Sequence, residues 1–374
     1  MKGRRKSRGA AVCVALAGLL LVAGCQADRW GSGREEVEVG GKKITVMDNP
    51  EQVAYDATEV DELLRLDGVR GNDWLADDRI IVSRENVGME PTEAEGVIRY
   101  PVNLYARELS TGIETAIAPG TENQDFAMVS PDRTKIFYKT MSLQSATGQG
   151  HIYDIAEKTS ETFTEEDAIA IDNGRWNGND SLVYSTIDGA IYELDTDSMA
   201  YAMLQNTGEM FPGNLAKIGG RTYYTTKGDL HILTEDRGMM SVALANVIWM
   251  VPSPDGRRLA IVTRTRGGEM ELLMTGPYGG NPLALARDSQ IYGMSWSPDG
   301  SKLAYAGITS NGTVRGIYVA DAATGTSSAQ SLDVKFISDP LRWNPSGNRL
   351  MVTTTVPDDK QARNRFVTYL LRVR

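Results

Sequence analysis

Ser253-Pro254-Asp255-Gly256-Arg257-Arg258-Leu259-Ala260-Ile261-Val262 decides the fold of this 374-residue chain, because it reads as a tight turn opening onto a strand. Proline fixes φ at the start of the turn, aspartate bonds its own backbone, and glycine accepts positive φ. The apolar stretch Ile248-Trp249-Met250-Val251 leads into the turn and a β-branched run leaves it, so the unit is a hairpin. Ser297-Pro298-Asp299-Gly300-Ser301-Lys302-Leu303-Ala304-Tyr305 is a near copy. Looser copies run from Ser130 to Tyr138 and from Asn344 to Val352, and degenerate ones from Trp74 to Val82, Trp176 to Tyr184 and Ile218 to Tyr224.

The strand starts Ile80, Ile136, Leu182, Thr222, Leu259, Leu303 and Leu350 recur about every 37 to 56 residues, the size of a four-stranded propeller blade. Within a unit, a third strand such as Gly316-Ile317-Tyr318-Val319-Ala320 ends in Asp321-Ala322-Ala323-Thr324-Gly325, a turn that recurs at Leu109-Ser110-Thr111-Gly112 and loosely at Leu194-Asp195-Thr196-Asp197. Helical spacing is confined to Val60-Asp61-Glu62-Leu63-Leu64. The fold class is therefore all-β, a β-propeller of seven four-stranded blades, with six blades as the alternative. The last unit ends one strand short, and Val37–Met47 is expected to supply that strand and close the ring.

From about Leu66 to Arg374 the Ser-Pro-Asp-Gly units resemble the repeats of bacterial TolB-type, WD40-like propellers. The resemblance implies a propeller and a partner role in an envelope assembly, and it departs from the TolB type in lacking a separate N-terminal domain. Similar propellers accompany prolyl-oligopeptidase-type hydrolases, but no G-x-S-x-G elbow is present: Gly293-Met294-Ser295-Trp296-Ser297 lacks the last glycine.

The chain begins with Lys2, Arg4, Arg5, Lys6 and Arg8 and continues in an apolar run from Gly9 to Gly24, short for a membrane span. The run closes in Val22-Ala23-Gly24-Cys25, which resembles the bacterial lipobox. Residues 1–24 are expected to be a lipoprotein signal peptide, Cys25 the lipidated residue, 25–36 a tether and 37–374 the propeller. The expected location is extracytoplasmic, anchored to a bacterial membrane through lipid on Cys25. Cys13 lies in the segment to be removed, so the mature chain has a single cysteine and no disulfide.

The formal charge is −10, and without the five basic residues of the signal it becomes −15 (−10 − 5). Nucleic acid is excluded as a partner, since phosphate binding needs a basic stripe. His151 and His231 have no cysteine or carboxylate at ligand spacing, and Glu165-Glu166-Asp167 and Asp195-Thr196-Asp197 lack the pattern of a calcium loop. No cofactor or metal is expected. Trp176, Trp249, Trp296 and Trp343 recur near the turns and read as packing residues.

Alternation of strands puts the Ser-Pro-Asp-Gly turns on one face and the irregular insertions on the other: Arg84–Pro101, Thr140–Gly150, Thr263–Glu269, Ile308–Val314 and Val356–Arg363. Variable loops on a rigid scaffold are where recognition concentrates. The candidate binding residues are Arg84, Glu85, Glu90, Arg99, Tyr100, Gln149, His151, Arg264, Arg266, Asn311 and Lys360. The expected function is noncatalytic binding of a protein or cell-envelope polymer. The alternative is a polysaccharide lyase or hydrolase with residues gathered from several blades, which acids, arginine, tyrosine and a histidine clustered at the channel mouth would favour.

Overall fold

The computed structural model describes the strands Arg34–Val39 and Lys42–Met47, and residues 63–373 apart from 95–96, 142–146, 166–167, 171–172, 235–237, 242–243, 309–314, 331, 333–336, 338 and 359–362. The chain divides into two units, Met1–Ala54 and Tyr55–Arg374. In the first, Arg34–Val39 and Lys42–Met47 pair with each other as an antiparallel hairpin.

The second unit is a seven-bladed propeller of antiparallel sheets, and its described residues contain no helix. The innermost strands of blades one to seven are Arg70–Ala76, Asn123–Val129, Arg175–Trp176, Gly213–Ile218, Val247–Pro252, Gln290–Trp296 and Arg342–Trp343. Three further strands follow each of the first six outward. Blade one adds Arg79–Glu85, Val102–Glu108 and Glu114–Ile117, and between its second and third strands carries a small hairpin, Thr92–Ala94 with Val97–Arg99.

Blade seven takes only Arg349–Asp358 and Arg363–Arg372 from the C-terminus, and its fourth strand is Leu63–Asp67. The ring is thus closed by an N-terminal strand, as expected, but a later one than Val37–Met47. Leu63 pairs with Leu371 and Asp67 with Val367, and the expected helical turn at Leu63-Leu64 is extended strand. Leu66 explains the choice: it is buried against Trp74, Val82, Met351 and Leu370, at the joint between blades seven and one.

Each turn is stabilised locally in the way its residue types suggest. Ser130, Ser253 and Ser297 donate to Asp132, Asp255 and Asp299 at 2.7, 2.6 and 2.6 Å. The same hydroxyls accept from the backbone N–H of Lys135, Arg258 and Lys302. Gly256 and Gly300 have φ of 65° and 69°. At the seam the turn is built across blades, for Ser346 of blade seven donates to Asp77 of blade one.

The core is a set of layers between blades. Buried apolar clusters lie between blades one and two, two and three, three and four, four and five, five and six, six and seven, and seven and one. Four tryptophans bolt these layers together. Trp74, Trp176, Trp296 and Trp343 each donate Nε1–H at 3.0 Å to a backbone carbonyl of the preceding blade, on Arg342, Met128, Val251 and Ser295. The packing reading holds for Trp176, Trp296 and Trp343. It does not hold for Trp249, which is 41% exposed. Pro252, not Trp249, occupies the equivalent place in blade five, opposite the first residue of the second strand.

Candidate functional site

Each innermost strand enters from an interblade connection and ends at its turn, so its first residues border the central channel. They lie on the face that also carries the second-to-third-strand insertions. Four residues before the turns beginning at Leu75, Ser130, Asn177, Ile218, Ser253, Ser297 and Asn344 stand Gly71, Phe126, Asn173, Asn214, Trp249, Gly293 and Pro340. All seven line one or both of two adjoining cavities at the channel mouth, of about 290 and 470 Å³. These volumes span the lower part of the range of small-ligand sites.

Bulges aim these positions. The register of the innermost strand shifts between Asp125 and Met128, Gly213 and Ala216, and Tyr292 and Ser295. Phe126, Asn214 and Gly293 accordingly have φ of 56°, 52° and 68°. A phenylalanine in the left-handed region is strained, and such strain persists only where its surroundings hold it. Here the Asp125 carboxylate accepts from the Phe126 N–H, and the ring lies 4.1 Å beneath the Arg70 guanidinium.

Arg70 is the electrostatic centre of the mouth. It forms ion pairs with both Asp125 and Asp339, joining blades one and two to the connection that enters blade seven. Asp125 also accepts from Ser83 Oγ at 2.8 Å, and Ser83 accepts from Asn72 at 3.2 Å. Burial opposes the charge on Arg70, yet the two carboxylates outweigh it and hold its pKa above the ordinary guanidinium value. Burial pushes the Asp125 carboxyl up, with Arg70 and Ser83 opposing and the charge of Asp339 adding to the rise.

Lys139 is 1% exposed and donates to the Ala170 carbonyl at 3.1 Å. With Arg70, Arg175 and Arg342 it gives the smaller cavity four cations against one carboxylate, Asp339, among the described lining residues. The larger cavity is apolar, lined by Ile248, Met250, Met270, Ile291, Met294 and Ile337, and shares Arg175, Trp249, Asp339 and Pro340 with the smaller one.

The residues expected from sequence do not converge on this mouth. Arg84 and Glu85 end the second strand of blade one, where Arg84 is held by Glu114 at 2.7 Å and stacks on Tyr105. Glu90 and Arg99 are exposed and Tyr100 half-buried on the blade-one insertion, which also exposes Val87 (70%) and Ile98 (63%). Arg264, the last residue of the second strand of blade five, and Arg266, in the turn 265–269 that follows it, are exposed. Gln149 lies on the third strand of blade two and donates to the Thr164 carbonyl.

His151 lies away from the loops, inside the third strand of blade two. It is buried within blade two between Thr140 and Thr162, at 2.8 and 3.0 Å, and stacks on Tyr138. Burial lowers its pKa to about 4, so it is neutral at pH 7. His231 occupies the third strand of blade four, bonded to Thr226 and stacked on Tyr224. Cys25, Asn311 and Lys360 lie outside the described residues.

Residues 235–355, the end of blade four to the second strand of blade seven, match the family model of the lipoprotein LpqB beta-propeller domain. A comparison with curated proteins returns no match. Among solved structures, an oligogalacturonate lyase from Vibrio parahaemolyticus is 11% identical over 82% of this chain and 91% of its own, with a TM-score of 0.59. An oligogalacturonate lyase in complex with manganese is 14% identical over 83% and 91%, with a TM-score of 0.57. TolB from Acinetobacter baumannii is 15% identical over 79% of this chain and 64% of its own, with a TM-score of 0.49. At these identities the likeness is one of fold. The chain is a WD40-like seven-bladed β-propeller, similar through residues 235–355 to the propeller domain of the lipoprotein LpqB.

Proposed function

We propose that this protein is an extracytoplasmic lipoprotein, anchored to a bacterial membrane by lipid on Cys25, whose propeller is a noncatalytic binding module for a protein or cell-envelope component. The observation that carries the reading is the coincidence of two independent signals. The N-terminus ends its apolar run in Val22-Ala23-Gly24-Cys25, and residues 235–355 match a propeller model drawn from lipoproteins. The partner surface is the face of the blade-one insertion. Val87 and Ile98 there are large apolar side chains left in solvent, the kind of group that anchors a protein interface.

The polysaccharide lyase or hydrolase reading would be favoured by a histidine at the channel mouth. His151 and His231 belong to third strands, away from it. The acids there among the described residues, Asp125 and Asp339, are bound to Arg70.

Metabolic labelling with a palmitate analogue, together with a pull-down from cross-linked cells, tests the proposal. The chain should take up label, and Cys25→Ser should abolish it. A partner captured by the intact lipoprotein should be lost when residues 87–100 are replaced by a short turn. Absence of label refutes the anchor, and capture unaffected by the replacement refutes the assigned face.

A further inference from the structure

The fourth strand of each blade forms the rim of the ring, and its outer backbone groups are a template for another strand unless charge, proline or shortness guards them. Six of the seven rims are guarded. Glu114, Glu161, Arg287 with Asp288, and Arg65 with Asp67 put charges on the outer strands of blades one, two, five and seven. Those of blades four and six, Gly238–Ser241 and Ser327–Gln330, are only four residues long. Blade three differs. Its outer strand, Tyr201–Asn206, is six residues long, and the run from Met199 to Gly208 carries no charge. No described strand pairs with its outer side. Tyr201 and Met203 on it are 62% and 57% exposed, and the exposed Met210 and Phe211 follow in the connection to blade four.

We propose that this rim is a self-association edge, on which a second copy of the chain pairs its own Tyr201–Asn206 antiparallel about a two-fold axis. The backbone decides the register. The Asp195 N–H donates to the Ala200 carbonyl at 2.8 Å, and Ala202 lies opposite Glu193 in the ladder. Antiparallel alternation therefore turns the N–H and C=O of Ala202 inward and those of Tyr201 and Met203 outward. The usable edge is bounded by Met199, with φ of 55°, and by the register shift opposite Ile191 and Tyr192, so it centres on Ala202. Tyr201 then exchanges hydrogen bonds with Met203 of the second copy, and Ala202 meets itself on the axis. Charge selects the occupant. Copies of a chain of net charge −10 repel where their acids face each other, and this rim brings none together. Glu193, opposite Ala202, is bound by Lys217 at 2.6 Å. Tyr201 is also the exposed end of an aromatic row, edge-on to Tyr192 at 5.7 Å, which stacks on Tyr184 at 5.4 Å. In this register Met203 of the second copy covers that end with a thioether, a favourable neighbour for an aromatic ring. The inference is independent of the partner surface at the blade-one insertion.

Sedimentation of the purified full chain in detergent micelles, together with oxidative cross-linking, tests it. The chain should sediment as a concentration-dependent dimer. Met203→Lys sets a charge in the shared ladder and should leave a monomer whose circular dichroism is unchanged. Ala202→Cys should give a disulfide-linked dimer under copper phenanthroline, because opposed residues of a non-hydrogen-bonded pair lie about 4.5 Å apart at Cα, within disulfide reach. Thr115→Cys, exposed on the guarded rim of blade one, should link no more than the unsubstituted chain. The proposal is overturned if the chain is a monomer at every concentration, if Met203→Lys dimerises as the unsubstituted chain does, or if Ala202→Cys links no faster than Thr115→Cys. None of these results bears on capture through residues 87–100, so the two readings fail separately.

Discussion

Removing the strand Leu63–Asp67 should open the ring, and removing what precedes it should not. Two truncated chains, beginning at Tyr55 and at Val69, separate these cases. The strand contributes five registered pairs with Val367–Leu371. It also contributes Leu66, buried at the joint of blades seven and one. Burial of a leucine is worth roughly 1.5–3 kcal/mol. Each of about four backbone hydrogen bonds adds a net of about 0.5–1 kcal/mol, because the freed groups on Arg363–Arg372 return to water. The sum is about 4–7 kcal/mol, a large share of the roughly 5–15 kcal/mol that holds a domain folded. The chain from Val69 should therefore unfold at a much lower urea midpoint, followed by tryptophan fluorescence. It should also self-associate through the bared edge of the last strand. The chain from Tyr55 should match the mature protein. If the chain from Tyr55 loses as much as that from Val69, closure depends on residues before 55 and the assignment of Leu63–Asp67 is wrong.

Four further substitutions probe the ring. Arg70→Met leaves Asp125 and Asp339 buried without their cation and should cost about 3–5 kcal/mol at pH 7. The loss should shrink towards pH 4.5 in denaturant titrations, since burial already favours the protonated form of Asp125. Trp343→Phe should cost about 1–2 kcal/mol in urea unfolding, for the lost bond to the Ser295 carbonyl and the orphaned acceptor; Trp249→Phe should leave the midpoint unchanged. Asp288, half-buried near Glu269, has its pKa raised to about 6. A carboxyl raised by folding is destabilising once ionised, so its penalty is absent below pH 4 and grows as pH rises through 6. Asp288→Asn should accordingly stabilise the protein at pH 7 by roughly 1–2 kcal/mol after discounting for solvent screening, and have no effect near pH 3.5.

The architecture was legible because it rests on local chemistry repeated along the chain. Ser-Pro-Asp-Gly at Ser253 and Ser297 makes its hydrogen bonds within six residues, so the turn and its flanking strands can be recognised without knowing what packs on them. The closing strand was not legible for the opposite reason. Leu63-Leu64-Arg65-Leu66-Asp67 and Val37–Met47 both carry apolar residues suited to a strand. The choice between them was made by a pocket for Leu66 assembled from blades seven and one, which no local pattern reveals. His151 was misplaced because a strand boundary decided it: one end of the third strand of blade two faces the loops, and its middle is core.

The channel mouth was missed through attention to loops, although a positional signal for it existed. Repetition marks the places that every blade needs: the turn residue that accepts from the start of the second strand, and the tryptophan that reaches the preceding blade. The place four residues before the turn borders the channel and carries no demand shared by every blade, and around the ring it holds Gly71, Phe126, Asn173, Asn214, Trp249, Gly293 and Pro340. Seven equivalent positions filled by five residue types are what a pseudo-symmetric scaffold needs if it is to present an asymmetric site. Cations and their carboxylates collect on blades one, two, three and seven, while methionines and the exposed tryptophan collect on five and six. A uniform residue at this position would have closed the channel with a packed plug or left a symmetric polar pore. The variation instead gives the mouth one charged side and one apolar side.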